Sequence, residues 1–406
     1  MALLAAQGAK GEASGGTGPN RRRIAVLATG IAGVLAVAGT VASTLGAARP
    51  AGRTTLVSAT PGSTPTSTAS PTASPSGPLT VRSVTEGGAT RNTNGADPIT
   101  IVLSAPLASS SPLPTVKPAV GGRWKRSGAT LTFTPAWPLQ PGSQLQVRLP
   151  GGKTGLRSAS GAHLAKTVTR TVSTAGWSVL RLQEVLAQLD YLPRTFTPAS
   201  PATALPSSVP GELASVYQPP AGRFTWNAGY PHILTTFWGG PGSLIIQGAV
   251  RAFQYDHGLV MTGQLTSAEW MDLLRAAAKD QRNSHGYTYA WASKTQPETL
   301  KVWHNGKVIL DSLANTGIPA SPTADGTYPV YLRYYYQVMR GTNPDGTKYA
   351  DPVYYVAYFN GGDAVHYFPR YSYGFPQSLG CVELPWNSAK KVWPYLSYGS
   401  LVSVTG

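Results

Sequence analysis

His366-Tyr367-Phe368-Pro369-Arg370-Tyr371-Ser372-Tyr373-Gly374-Phe375-Pro376-Gln377-Ser378-Leu379-Gly380-Cys381-Val382-Glu383-Leu384 contains the only cysteine of the 406-residue chain. A lone cysteine forms no intrachain disulfide, so Cys381 is either an inert packed thiol or a reactive one. The thiolate is the nucleophile, and a free thiol is mostly protonated near neutral pH, so reactivity calls for a base. His366 stands fourteen intervening residues upstream, and histidine titrates in the right range. Gly380 lacks Cβ and permits a tight turn before the cysteine. Backbone N–H groups in such a turn can donate to an oxyanion. Ser378 reads as a hydroxyl that stabilises this turn.

The flanking sequence is built of strands. From residue 297 to 406, Tyr328, Val330 and Leu332 alternate, and Val353 to Phe359 forms a further strand-like run. Asn305-Gly306 separates two apolar runs and suits the positive φ angles of a hairpin turn. Upstream, residues 176–284 switch to a helical period. Leu182, Val185, Leu186 and Leu189 form one stripe; Ile246, Ala249, Val250 and Phe253 form another. Thr266 with Glu269 forms a capping box ahead of Trp270, Leu273, Leu274 and Ala277. An insert at 193–241 carries Tyr217, Phe224, Trp226, Tyr230 and Trp238. It reads as a lid, a docking surface or a helix-free elaboration. Residues 79–175 return to period two at Ile99/Ile101/Leu103, Leu131/Phe133 and Leu145/Val147/Leu149, a β-sandwich pattern.

The first 78 residues set the expected compartment. Arg21-Arg22-Arg23 close a tail at 1–23 and precede an uncharged run at 24–48, long enough to span a bilayer. That run reads as a membrane anchor, with a signal peptide cleaved near Gly46-Ala47-Ala48 as the alternative. Residues 49–78 form a Ser/Thr/Pro-rich linker. Everything beyond is expected in the cell envelope, outside the cytoplasm. The formal charge is +16, yet no dense Lys/Arg block follows residue 23. Membrane or anionic wall polymers fit this spread better than nucleic acid. His257, His285 and His304 show no ligand spacing, so no metal is expected, and no cofactor motif occurs.

The order histidine-then-cysteine differs from papain-like enzymes. With Ser378-x-Gly380-Cys381-Val382, Asn315-Thr316-Gly317, Thr323-Ala324-Asp325-Gly326-Thr327-Tyr328 and Met339-x-Gly341, it resembles the L,D-transpeptidase (YkuD-type) catalytic domain. The stretch around Leu131 to Ser143 resembles bacterial Ig-like modules. The pieces at 181–192, 249–259 and 262–266 resemble a three-helix peptidoglycan-binding domain, with Asp190 where glycine is usual.

The resemblance implies a multidomain, mainly β protein with an Ig-like sandwich, a small helical binding domain and a β-rich catalytic domain. It also implies a cysteine-dependent acyltransferase that cross-links peptidoglycan stem peptides 3→3 through a Cys381 thioester, with His366 as general base. The family's oxyanion donors map here to the backbone N–H groups of Leu379, Gly380 and Cys381, and Tyr367, Met339 and Glu383 are its candidate substrate-binding residues. Three positions depart from the family pattern: Leu379 for a second histidine, Glu383 for arginine, and Tyr367 for a small residue. Glu383 opposes thiolate formation unless Arg370, Lys390 or Lys391 pairs with it. A catalytically degenerate wall-binding protein and a thiol L,D-carboxypeptidase on the same fold are the alternatives.

Overall fold

The computed structural model describes residues 77–84, 93–201, 205–240 and 242–406. The tail, the anchor and the linker up to residue 76 lie outside the described residues. No helix among the described residues is long and apolar enough to cross a membrane.

Strands come first. β1 (Val81–Val84), β2 (Ile99–Leu103), β4 (Gly122–Ser127) and β5 (Thr130–Pro135) form a sheet ordered β1-β2-β5-β4. β3 (Thr115–Lys117), β6 (Gln144–Leu149) and β7 (Val168–Ser173) form a second, ordered β3-β6-β7. Ile99, Ile101, Leu103, Leu131 and Phe133 from one sheet share a core with Val147, Leu149 and Val172 from the other. Strict alternation puts each of these side chains on the inner face.

Four helices follow: α1 (Val179–Gln188), α2 (Val209–Tyr217), α3 (Leu244–Asp256) and α4 (Ser267–Ala278). At α4, Thr266 Oγ1 accepts from the Glu269 N–H at 3.3 Å, and Glu269 Oε2 accepts from the Thr266 N–H at 2.7 Å. This is the expected capping box. Asp190 closes α1 at φ 60°, a left-handed position where glycine costs least and Asp is tolerated.

The insert is not helix-free. It supplies α2 and a hairpin of β8 (Arg194–Pro198) with β9 (Gly222–Trp226). Its aromatics close around a cation: the Arg194 guanidinium sits 5.1, 4.9 and 4.3 Å from the Phe224, Trp226 and Trp238 rings. Tyr217 donates its hydroxyl to the Leu139 carbonyl of the sandwich at 2.6 Å. The insert is bound in by charge as well. Arg181 on α1, fully buried, pairs with Glu184 at 2.9 Å and with Glu212 of α2. Burial raises the pKa of both carboxyls, while Arg181 pulls them down.

The remaining residues build two sheets. β12 (Lys307–Leu313), β11 (Thr299–His304), β10 (Thr288–Ser293), β18 (Leu401–Thr405) and β13 (Gly326–Pro329) lie side by side in that order. β14 (Leu332–Thr342), β15 (Lys348–Asn360), β16 (Asp363–Tyr367) and β17 (Val382–Leu384) form the other, in sequence order. α5 (Trp386–Val392) adds Ala389 and Val392 to the core between them. β10 lies ahead of residue 297, the expected start of this segment. It pairs in parallel with β18, Tyr289 opposite Leu401 and Ser293 opposite Thr405. A pairing between such distant stretches leaves no local signal.

The helical segment and the sheet of β10, β11 and β18 share one core, because Tyr289, Trp303 and Leu401 join the cluster of α1, α3 and α4. Gly248 allows this approach: a Cβ there would stand 2.4 Å from the Gly399 carbonyl oxygen.

Replacing Arg181 with Met leaves two desolvated carboxylates without a cation. The expected loss in urea unfolding is about 3–5 kcal/mol. Both folded carboxyl pKa values are raised, so the deficit deepens as pH climbs above the ordinary glutamate range and shrinks as they protonate. A loss under about 1 kcal/mol would show that the triad does not hold the insert.

Candidate active site

β16 divides its side chains between two faces. Val365 and Tyr367 face the core between the sheets, while Ala364 and Phe368 belong to a smaller cluster with Cys381. His366 shares the second face and lines a cleft of about 510 Å³ together with Cys381. β15 reaches this cleft with two parities. Tyr349, Asp351 and Val353 line it before a bulge, and Tyr358 lines it after. The bulge centres on Tyr355, at φ 60°, between pairings of Tyr354 and Ala357 with β16. One extra residue shifts the side-chain alternation and keeps both halves of β15 facing the cleft.

The cysteine turn is fastened from outside. The N–H groups of Gln377 and Ser378 donate to the Thr316 carbonyl at 2.9 and 3.0 Å. Asn315 and Glu383 exchange backbone hydrogen bonds at 3.0 and 2.9 Å. Thr316 is itself held by the buried Glu298 carboxylate, through its N–H at 2.6 Å and its hydroxyl at 2.8 Å. Thr323 accepts from the Gly317 N–H at 2.8 Å and donates to the Cys381 carbonyl at 3.4 Å. The segments Asn315–Gly317 and Thr323–Tyr328 were singled out from the sequence, and the first of them and Thr323 are brought to the turn.

Within the turn, Ser378 Oγ donates to the Cys381 carbonyl at 2.6 Å and accepts from the Gly380 N–H at 3.2 Å. Ser378 is therefore a brace, as its position suggested. Gly380 adopts φ 115°, and a Cβ on it would lie 2.6 Å from Asp363 Oδ1. Any other residue meets both a strained backbone and a carboxylate.

Two neutral groups face the cleft at rest. Burial pushes the pKa of His366 down. Its Nδ1 lies 2.9 Å from the Tyr367 carbonyl, which can only accept, so Nδ1 carries the proton and Nε2 keeps a lone pair. The thiol is partly exposed, yet the protein packed behind it pushes its pKa up to about 12, with Asp363 and Glu383 adding to the rise and the Ala364 N–H opposing it.

Glu383 does not stand alone. Arg370 grips both its oxygens, Nε to Oε2 and Nη2 to Oε1, each at 2.7 Å. Of the three cations the sequence offered, Arg370 is the partner. Glu383 and Met339 line the cleft, and the Glu383 oxygens are occupied by Arg370. Tyr367 does not line it. The strand's alternation turns its ring to the opposite face, 4.9 Å from Trp386. Asp351, Asp363, Tyr349, Tyr358 and Gln337 line the cleft without having been picked from the sequence. Asp363 lies three residues before His366, the one local hint it offered.

Residues 287–404 match the family model of the YkuD L,D-transpeptidase catalytic domain. The chain carries an L,D-transpeptidase catalytic domain. An L,D-transpeptidase from Mycobacterium smegmatis is 14% identical over 81% of this chain and 100% of that one, with a TM-score of 0.28. L,D-transpeptidase 3 from Mycobacterium tuberculosis is 13% identical over 80% and 98%, with a TM-score of 0.28. The catalytic domain of an E. faecium L,D-transpeptidase is 27% identical over 29% and 96%, with a TM-score of 0.27. No curated protein matches the chain in sequence. His366, Cys381 and the cleft they line fall within the matched residues.

A neutral thiol with a raised pKa predicts alkylation by iodoacetamide that climbs about tenfold per pH unit from pH 7 to pH 10. A plateau near pH 7 would instead reveal a resting thiolate–imidazolium pair. With His366 as the base, its lowered pKa would place the acid limb of turnover below the ordinary histidine value of about 6.5, since a base is lost only when it protonates.

Proposed function

We propose that the chain is an exported cell-wall L,D-transpeptidase in which Cys381 is the nucleophile and His366 the general base. The observation that carries this reading is the shared cleft of the two, with the His366 tautomer set by the Tyr367 carbonyl. His366 Nε2 takes the thiol proton as sulfur attacks the carbonyl of the L-residue in a tetrapeptide stem. The proton then passes to the leaving D-alanine nitrogen, and a thioester remains on Cys381. An amine on a neighbouring stem attacks this thioester and forms the 3→3 cross-link. Because both groups rest neutral, proton transfer accompanies attack rather than preceding it.

The oxyanion formed on attack needs donors at the turn. Gly380 spends its N–H on Ser378, so Leu379 and Cys381 supply theirs. Leu379 serves here through its backbone alone, which makes the missing imidazole tolerable. Arg370 neutralises Glu383, so the reversed charge beside the thiol is offset locally.

Export through residues 24–48, a tether at 49–78 and attraction of a +16 chain to anionic wall polymers complete the proposal. The full chain incubated with tetrapeptide stems should give dimers and a Cys381 acyl adduct by mass spectrometry. Cys381→Ala should abolish both, and His366→Ala should cost about 10²–10⁴ in rate. Turnover that persists in Cys381→Ala would sink the assignment. D-Alanine release without dimers would make the protein a carboxypeptidase.

A further inference from the structure

The two carboxylates that act on the Cys381 thiol are held in different ways. Glu383 is gripped at both oxygens by Arg370. Asp363 accepts two long hydrogen bonds, from the Ala324 N–H at 3.4 Å and from Asn360 Nδ2 at 3.3 Å. No lysine, arginine or histidine among the described residues pairs with it. It lines the cleft beside Cys381 and stands over the turn, against Gly380.

A partly buried carboxylate without a cation is costly, and burial is the leading cause of its raised pKa. It is also unhelpful in the first half-reaction, where a negative neighbour opposes charge on sulfur. The second half-reaction reverses that sign. Its co-substrate is a primary amine, which arrives near neutral pH as an ammonium.

We propose that Asp363 is the acceptor-binding group: its carboxylate receives the ammonium of the incoming stem and holds it beside the Cys381 thioester. This rests on the reading of Cys381 as the acyl carrier. The ammonium gives one proton to solvent water before its lone pair can attack. The C–N bond then forms as the C–S bond breaks. A second nitrogen proton passes through His366 to the departing sulfur and regenerates the thiol. One proton stays on the new amide. Asp363 touches the amine and not the thioester, so it selects acceptor over water without taking part in acylation.

The test uses the full chain with tetrapeptide stems. It measures the ratio of cross-linked dimer to hydrolysed tripeptide, alongside iodoacetamide alkylation of Cys381. Asp363→Asn should lower the ratio about tenfold, the scale of one charge-assisted hydrogen bond, with a raised apparent KM for the acceptor. Alkylation in the same variant should be unchanged or faster, because a charge opposing the thiolate is gone. Asp363→Glu should recover part of the ratio. An unchanged ratio in Asp363→Asn overturns the proposal. So does a parallel fall of ratio and alkylation that Asp363→Glu fails to rescue, which marks a structural role. A wild-type chain that forms no Cys381 acyl adduct fails at the earlier step and removes the function reading as well.

Discussion

The backbone hydrogen bonds between residues 315–316 and residues 377–383 fix where the thiol sits. The cysteine turn is irregular, and irregular backbone holds a geometry only when its polar groups are satisfied from outside. Here the fastening is layered. Glu298, buried in the fold, holds Thr316; Thr316 holds Gln377 and Ser378; Ser378 braces Gly380 and Cys381. Parallel pairing of β16 with β17 then sets Val365 opposite Val382 and His366 opposite Glu383. His366 and the turn are thus placed by one continuous set of bonds rather than by a direct contact between them.

The electrostatic setting follows from that placement. A turn packed against two sheets is poorly solvated, and poor solvation disfavours charge on either partner. His366 is pushed down and Cys381 up, so the pair rests neutral. Arg370 is essential to this balance. Without it, Glu383 would stand as a second uncompensated charge beside the sulfur.

The rest of the chain is not merely strung in front of the catalytic segment. α3 packs against the loop before β18 at a glycine-to-carbonyl approach, and aromatic side chains from β10 and β11 complete the helical core. The insert ties α1 to α2 through the Arg181 triad and reaches the sandwich through Tyr217. Substitutions in the helical segment can therefore reach the sheet of β10, β11 and β18 through packed contacts rather than through a linker.

The sequence alone supplied the candidates for the chemistry. A lone cysteine after a glycine turn, a histidine upstream, and the Asn-Thr-Gly and Thr-x-x-Gly segments were legible because those residue types act through local chemistry. The periodicities of the helices and of β2, β5 and β6 were legible for the same reason, since each follows from one element's own burial pattern. Tertiary structure decided what depends on distant stretches meeting. β10 was hidden because its partner is the last strand. Tyr367 was misplaced because only the sheet says which face of β16 is the core, and α2 escaped notice because its key contact is a buried charge pair with α1. Which cation meets Glu383, and that Asp363 stands over Gly380 with none among the described residues, are facts of packing. A sequence records which charges exist, but the distances that give them a sign and a task arise only when the chain folds.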